Sequence, residues 1–115
     1  MLFRSDDLDG AVAEAARVLE PGGRLCASVV HPVFAAANHE SPDRLVLERY
    51  YDGPTKVWES DREGIHMTFH DRPIPLSGYF GALESSGLLV EALREPSPDG
   101  RLPLFLQLRA VKLSP

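Results

Sequence analysis

His31 stands at the end of an apolar run, Leu25-Cys26-Ala27-Ser28-Val29-Val30, and directly before Pro32. An imidazole in that position can orient a bound molecule or accept its proton. It can equally be a hydrogen-bonded histidine that closes a strand. Arg72, Ser77 and Tyr79 lie close together further on and offer a cation and two hydroxyls to a polar organic molecule, although Ser77 is also suited to capping a helix. Trp58, with Tyr50 and Tyr51, can line an aromatic pocket or pack an inserted lid. His66, Thr68 and His70 share one face of an extended segment. Two imidazoles there could ligate a metal, but no cysteine and no defined carboxylate completes the set, so no metal site is expected. Asp6, Asp7 and Asp9 place negative charge at the start of a helix, where capping and the helix dipole explain them.

The elements that must position these groups are legible around Pro21-Gly22-Gly23. Leu8, Val12, Ala15 and Leu19 recur at helical spacing, which predicts a helix over 6–19 with Ser5 or Asp6 as its cap. Proline then suits the second position of a type II turn and glycine the third, where φ is positive. The chain is thereby reversed into a strand over 24–30. With Ser28 the only polar residue after Arg24, that strand reads as covered on both faces, and Cys26 as a small buried hydrophobe. His31-Pro32 ends it. Val33 to Ala37 can form one helical turn, Arg44 to Tyr51 a strand, and Asp52-Gly53-Pro54 a turn. His66 to His70 alternates as a strand. Residues 32–74 together look like an insert or lid. A short helix is expected over 77–87, with Gly87 at its left-handed end. Leu88 to Leu93 and Pro103 to Val111 are strands, joined without a helix and therefore antiparallel neighbours.

The bulk properties narrow the classes. With 115 residues the chain is one domain, and its 43% apolar and 25% charged content is that of a globular protein. A net charge of −5 argues against a nucleic-acid partner. A single cysteine fits a reducing, cytoplasmic setting. The first residues lack the apolar stretch of a signal peptide, and no window has the length of a membrane helix.

In that order, these elements resemble something specific. Glu14-Ala15-Ala16-Arg17-Val18-Leu19-Glu20-Pro21-Gly22-Gly23-Arg24-Leu25 resembles the helix–turn–strand element late in class I S-adenosylmethionine-dependent methyltransferases. Ser28-Val29-Val30-His31-Pro32 resembles the end of that strand in a bacterial subgroup. Arg72-Pro73-Ile74-Pro75-Leu76-Ser77-Gly78-Tyr79-Phe80-Gly81-Ala82-Leu83 and Ser86-Gly87-Leu88-Leu89-Val90-Glu91 resemble the segments that follow, with Gly78 where an acidic residue is expected. The resemblance implies an α/β fold: the C-terminal part of a Rossmann-like methyltransferase sheet, with a central strand after the double glycine, the inserted lid, a helix and a final antiparallel pair. Residues 1–115 would be a partial methyltransferase domain.

What the resemblance does not supply is the cofactor loop. The family holds its donor with a glycine-rich loop after a first strand and an acidic residue after a second. No G-x-G occurs in this chain, and Gly22-Gly23 lies between a helix and a strand, the reverse of the required context. S-adenosylmethionine is therefore the cofactor by resemblance, with its binding loop absent. The expected function is the C-terminal half of a small-molecule methyltransferase, inactive alone, with His31 as catalytic candidate and Arg72, Ser77, Tyr79 and Trp58 as substrate-binding candidates. The alternatives are a non-catalytic, methyltransferase-derived interaction or dimerisation module, and an unrelated small α+β binding protein. Expected partners are a small methyl acceptor and either a second copy or a missing N-terminal half. The strand at 24–30 would have one open edge, to be covered by a partner or by the insert.

Overall fold

The computed structural model describes residues 7–41 and 44–114, with the backbone alone at Trp58, Arg62, Phe69, His70 and Asp71. In chain order the elements are α1 (Leu8–Val18), β1 (Arg24–Val30), α2 (Pro32–Ala36), β2 (Asn38–Ser41), β3 (Arg44–Val46), β4 (Lys56–Arg62), β5 (Ile65–Asp71), α3 (Leu76–Ser85), β6 (Leu88–Arg94) and β7 (Phe105–Lys112).

α1 buries the stripe Leu8, Val12, Ala15 and Ala16. Ser5 and Asp6 lie outside the described residues. Asp7 occupies the N-cap position without a side-chain capping bond, and Asp9 carries the first-turn negative charge. The helix ends in the turn its sequence demands: the Gly23 N–H donates to the Glu20 carbonyl at 2.8 Å, and Gly22 sits at φ +84°. A residue with a side chain is strained in that region. The end of the chain secures this corner. Lys112 Nζ donates to the carbonyls of Ala16 and Leu19 at 2.6 and 2.7 Å, satisfying groups that a helix C-terminus leaves open.

β1, β7 and β6 form one sheet in that order, each pair antiparallel, so β1 and β6 run the same way. The last two strands are antiparallel neighbours as their short connection requires. Within this sheet β7 is the middle strand, and the strand after the double glycine pairs with it on one side only, leaving the open edge expected of it among the described residues. β7 alternates strictly, burying Leu106, Leu108 and Ala110 to 0, 7 and 1% exposure. Against them pack Leu8, Val12 and Ala16 of α1 and Ala82 and Leu83 of α3. Burying a leucine such as Leu106 contributes roughly 1.5–3 kcal/mol. Both of these helices cover the same face. β1 is thus not covered on both sides: Cys26 is exposed rather than buried, because it points to the opposite face with Arg24, Ser28 and Val30.

Between α2 and α3 the chain makes two separate ribbons, β2 with β3 and β4 with β5, and neither joins the main sheet. The strand expected over 44–51 is only three residues long. β4 was not legible in the sequence. Its hairpin closes through Glu63 and Gly64, both with positive φ at 53° and 77°. That is the geometry of a tight two-residue turn, but Glu-Gly lacks the Asn or Asp that signals it. The radius of gyration, 15.5 Å, exceeds the roughly 13 Å of a compact chain of this length.

α3 begins at Leu76 with Pro75 in the N-cap position, so Ser77 lies in its first turn and does not cap it. Gly78 has a packing reason. A Cβ there would come within 2.7 Å of Ile74 Cγ2, so the missing side chain lets the helix start close against a core residue.

Candidate functional site

β1 and β6 run in parallel, and α1 and α3 each precede one of them. Their helix N-termini therefore lie toward the strands' carboxyl ends, the end at which open α/β sheets place ligands. His31 closes β1 there. Its backbone N–H donates to the Leu104 carbonyl at 2.9 Å, and its side chain is the N-cap of α2, with Pro32 at the first helical position. The ring is buried, at 5% exposure. Nδ1 accepts from the Val33 N–H at 3.1 Å, which leaves the ring proton on Nε2, 2.6 Å from Glu95 Oε2. Both ring nitrogens are thus engaged, and the neutral ring has no free lone pair for a proton in transit. The half-exposed carboxylate of Glu95 is the group in this pair that remains open to solvent. Nothing in the sequence links Glu95 to His31; the partnership arises where the chain leaving β6 passes the start of β7 toward β1's carboxyl end.

Arg72 lines a cleft of about 500 Å³ with Leu8, Asp9, Tyr51, Asp52, Gly53, Pro73, Ile74, Pro75 and Gly78. This is within the range of small-molecule sites, and its lining is half polar. Arg49 holds the Asp52 carboxylate in an ion pair that keeps it below the usual range. Gly78, where the resemblance leads one to expect a carboxylate, presents no side chain to this cleft.

The other substrate candidates are distributed. Ser77 is exposed on the first turn of α3. Tyr79 lines an apolar recess with Leu8, Val12 and Leu83. Trp58 stands in β4 opposite Phe69, and its side chain lies outside the described residues. Of the three whose side chains are described, Arg72 lines the cleft. Tyr50 has a role the sequence did not reveal: its hydroxyl accepts from the Leu76 N–H at 2.8 Å, tying the insert to the start of α3. Lys56 donates to the Ala37 carbonyl at 2.5 Å, and partial burial pulls its ammonium pKa down. His66 pairs with Asp61 at 2.7 Å and more distantly with Glu59 at 3.7 Å. Among the described residues no group of three or more ligand-type side chains could hold a metal.

The residues at the end of β1 do not fit S-adenosylmethionine by themselves. The chain passes from β1 into α2 through His31-Pro32 without a glycine, the residue that lets backbone come closest to a ligand. The Val33 N–H, a donor at the start of that helix, is taken by His31. Among the described residues no helix is long and apolar enough to cross a membrane.

No protein-family model matches the chain, and no curated protein matches it. Solved structures do. A proposed S-adenosylmethionine-dependent methyltransferase from Listeria monocytogenes superposes with a TM-score of 0.72 at 21% identity, over 99% of this chain and 59% of that one. An S-adenosylmethionine-dependent methyltransferase from Mesorhizobium loti does so at 0.64 and 20% identity, over 92% of this chain and 56% of that one. The chain is therefore similar in structure to S-adenosylmethionine-dependent methyltransferases, an α/β likeness of fold. It spans less than three fifths of the length of each.

Proposed function

We propose that this chain is the C-terminal, acceptor-side portion of a methyltransferase-type Rossmann-like sheet. In this reading it shapes the site for a small organic methyl acceptor, while the donor is gripped by a part of the fold outside these residues. The observation that carries the reading is the common placement of His31, Glu95 and the Arg72 cleft toward the carboxyl ends of β1 and β6, within a fold shared with methyltransferases. S-adenosylmethionine would supply the methyl group in the completed fold. Methyl transfer needs donor and acceptor held at attack distance, and this chain contributes to the acceptor's half of that task. Arg72 gives the cleft a cation for a polar or anionic acceptor, and Ser77 lies exposed on the first turn of α3, next in sequence to Gly78 of the cleft lining. His31 acts by holding Glu95, which faces solvent and can accept a hydrogen bond from the acceptor.

Calorimetric titration of the purified chain with S-adenosylmethionine tests the division of labour. No heat at millimolar ligand is expected; saturable binding in the micromolar range would overturn it. Amide chemical shifts on adding a panel of small organic acids and phenols test the acceptor side. Perturbations at Gly53, Arg72 and Gly78 are expected, and perturbations confined to other surfaces would remove the cleft from the reading.

A further inference from the structure

The cleft that holds Arg72 is assembled from three parts of the chain: the first turn of α1, the corner 51–53 of the insert, and the run from Arg72 to Gly78 that leads into α3. Leu8 and Ile74, both buried, give it an apolar base. Three of its residues carry charge, and they are not equivalent. Asp52 is already neutralised by Arg49. Arg72 has a protein contact of its own, but a guanidinium has five N–H donors, so it still brings positive charge to the lining. Asp9 suits the dipole of α1, yet among the described residues its exposed carboxylate has no hydrogen bond or ion pair. Asp9 and Arg72 thus share one cleft without pairing with each other. Beside them stands Tyr51, 75% exposed. Its ring is braced edge-to-face on Tyr50, with centroids 5.1 Å apart at 70°, and the Tyr50 hydroxyl is in turn tied to the Leu76 N–H.

We propose that this cleft selects a small zwitterion of the amino-acid type, its ammonium against Asp9 and Tyr51 and its acid toward Arg72. The proposal rests on the functional reading above, in which the cleft takes the methyl acceptor. A carboxylate and an aromatic ring on one cleft are the two groups that recognise a protonated amine, by charge and by the ring quadrupole. A guanidinium recognises an acid. The same pair of charges also rejects simpler molecules: a plain acid meets Asp9, and a plain amine meets Arg72. The volume, about 500 Å³, accommodates such a molecule together with a side chain on the apolar base. A protonated amine has no lone pair to attack a methyl group. The ammonium held by Asp9 is therefore a handle, and the methyl group goes to another atom of the acceptor.

The test titrates the full 115-residue chain with three probes of one skeleton: phenylalanine, 3-phenylpropionate and 2-phenylethylamine. Amide shifts at Asp9, Gly53 and Gly78 report the cleft. Phenylalanine should bind there about tenfold more tightly than either of the others. Asp9→Asn should remove its advantage over 3-phenylpropionate, whose own affinity should not fall, and Asp9→Glu, which keeps the charge, should preserve that advantage. Asp9 is exposed, so neither variant disturbs the core. Tyr51→Leu should weaken the two amines about threefold more than the acid. Equal affinities for phenylalanine and 3-phenylpropionate, an advantage that survives Asp9→Asn, or tighter binding of 2-phenylethylamine than of phenylalanine would each overturn the zwitterion and leave the cleft as the acceptor site. The absence of cleft shifts with all three probes would instead remove the cleft itself, and the functional reading with it.

Discussion

The sheet with its two covering helices and the ribbons between α2 and α3 are built on different principles. In the former, Leu106, Val12 and Leu88 are at most 3% exposed, and alternation on β7 is strict. In the latter, Val57, Ile65 and Met67 are 36 to 60% exposed, and the strands pair only with each other. The first region is held by burial and the second by turn geometry and a few ties such as Tyr50 to Leu76. A fold can therefore carry a lightly attached segment at the end of a sheet without weakening its core.

The comparison can be broken most directly by truncation. Leu106→Ala should destabilise the chain by roughly 3 kcal/mol in a denaturant melt, since it leaves a cavity at the centre of the sheet. Met67→Ala should cost under about 0.5 kcal/mol. Similar losses for the two would show that the ribbon is part of the core after all.

His31→Ala removes the α2 cap and the partner of Glu95 together, and a loss of about 1–2 kcal/mol is expected in the same melt. His31→Asn, which keeps a capping acceptor, should recover part of it. Full stability in the alanine variant would show that the junction of sheet and insert does not depend on this side chain.

Gly22→Ala should cost about 1 kcal/mol, because φ is positive there in the body of the fold. Glu63→Gly should do the reverse in the ribbon, adding a few tenths of a kcal/mol that appear as slower amide exchange across β4 and β5 alone. A gain in global stability from Glu63→Gly would mean that the two regions unfold together.

The smallest effect concerns Glu91, on the wet face of the sheet. Arg24 at 2.5 Å and Arg109 at 2.8 Å bond its carboxylate and hold its pKa below the usual range. A carboxylate with a depressed folded pKa contributes stability above its unfolded pKa and loses it as pH falls through the folded one. Glu91→Gln should therefore flatten the acid side of the stability profile slightly, and a carboxyl titration followed by NMR should show the lowered midpoint directly. An ordinary midpoint would remove the three-residue cluster as a feature of this face.

Much of the body was readable from residues alone. The spacing of Leu8, Val12 and Ala15 specifies α1, Pro21-Gly22-Gly23 its reversal, and the uncharged run after Arg24 the strand. These are local rules: period, turn chemistry and proline each act within a few residues. The candidate site was less readable. Arg72 lines the cleft, Ser77 is exposed on the first turn of α3 and Tyr79 lines an apolar recess, while Glu95 gives no signal in the sequence. β4 carries no turn signal in the sequence because Glu63 takes the left-handed region that Asn or Asp usually occupies.

Chain order and residue type by themselves determined the helix–turn–strand corner, the antiparallel closing pair and the exclusion of a glycine-rich donor loop. Tertiary structure alone decided that both helices cover one face of the sheet, that Cys26 faces water, and that His31 meets Glu95. The physical reason is distance along the chain: a turn is set by neighbours in sequence, whereas sheet order, the covered face and a pair of side chains 64 residues apart depend on how separate elements pack.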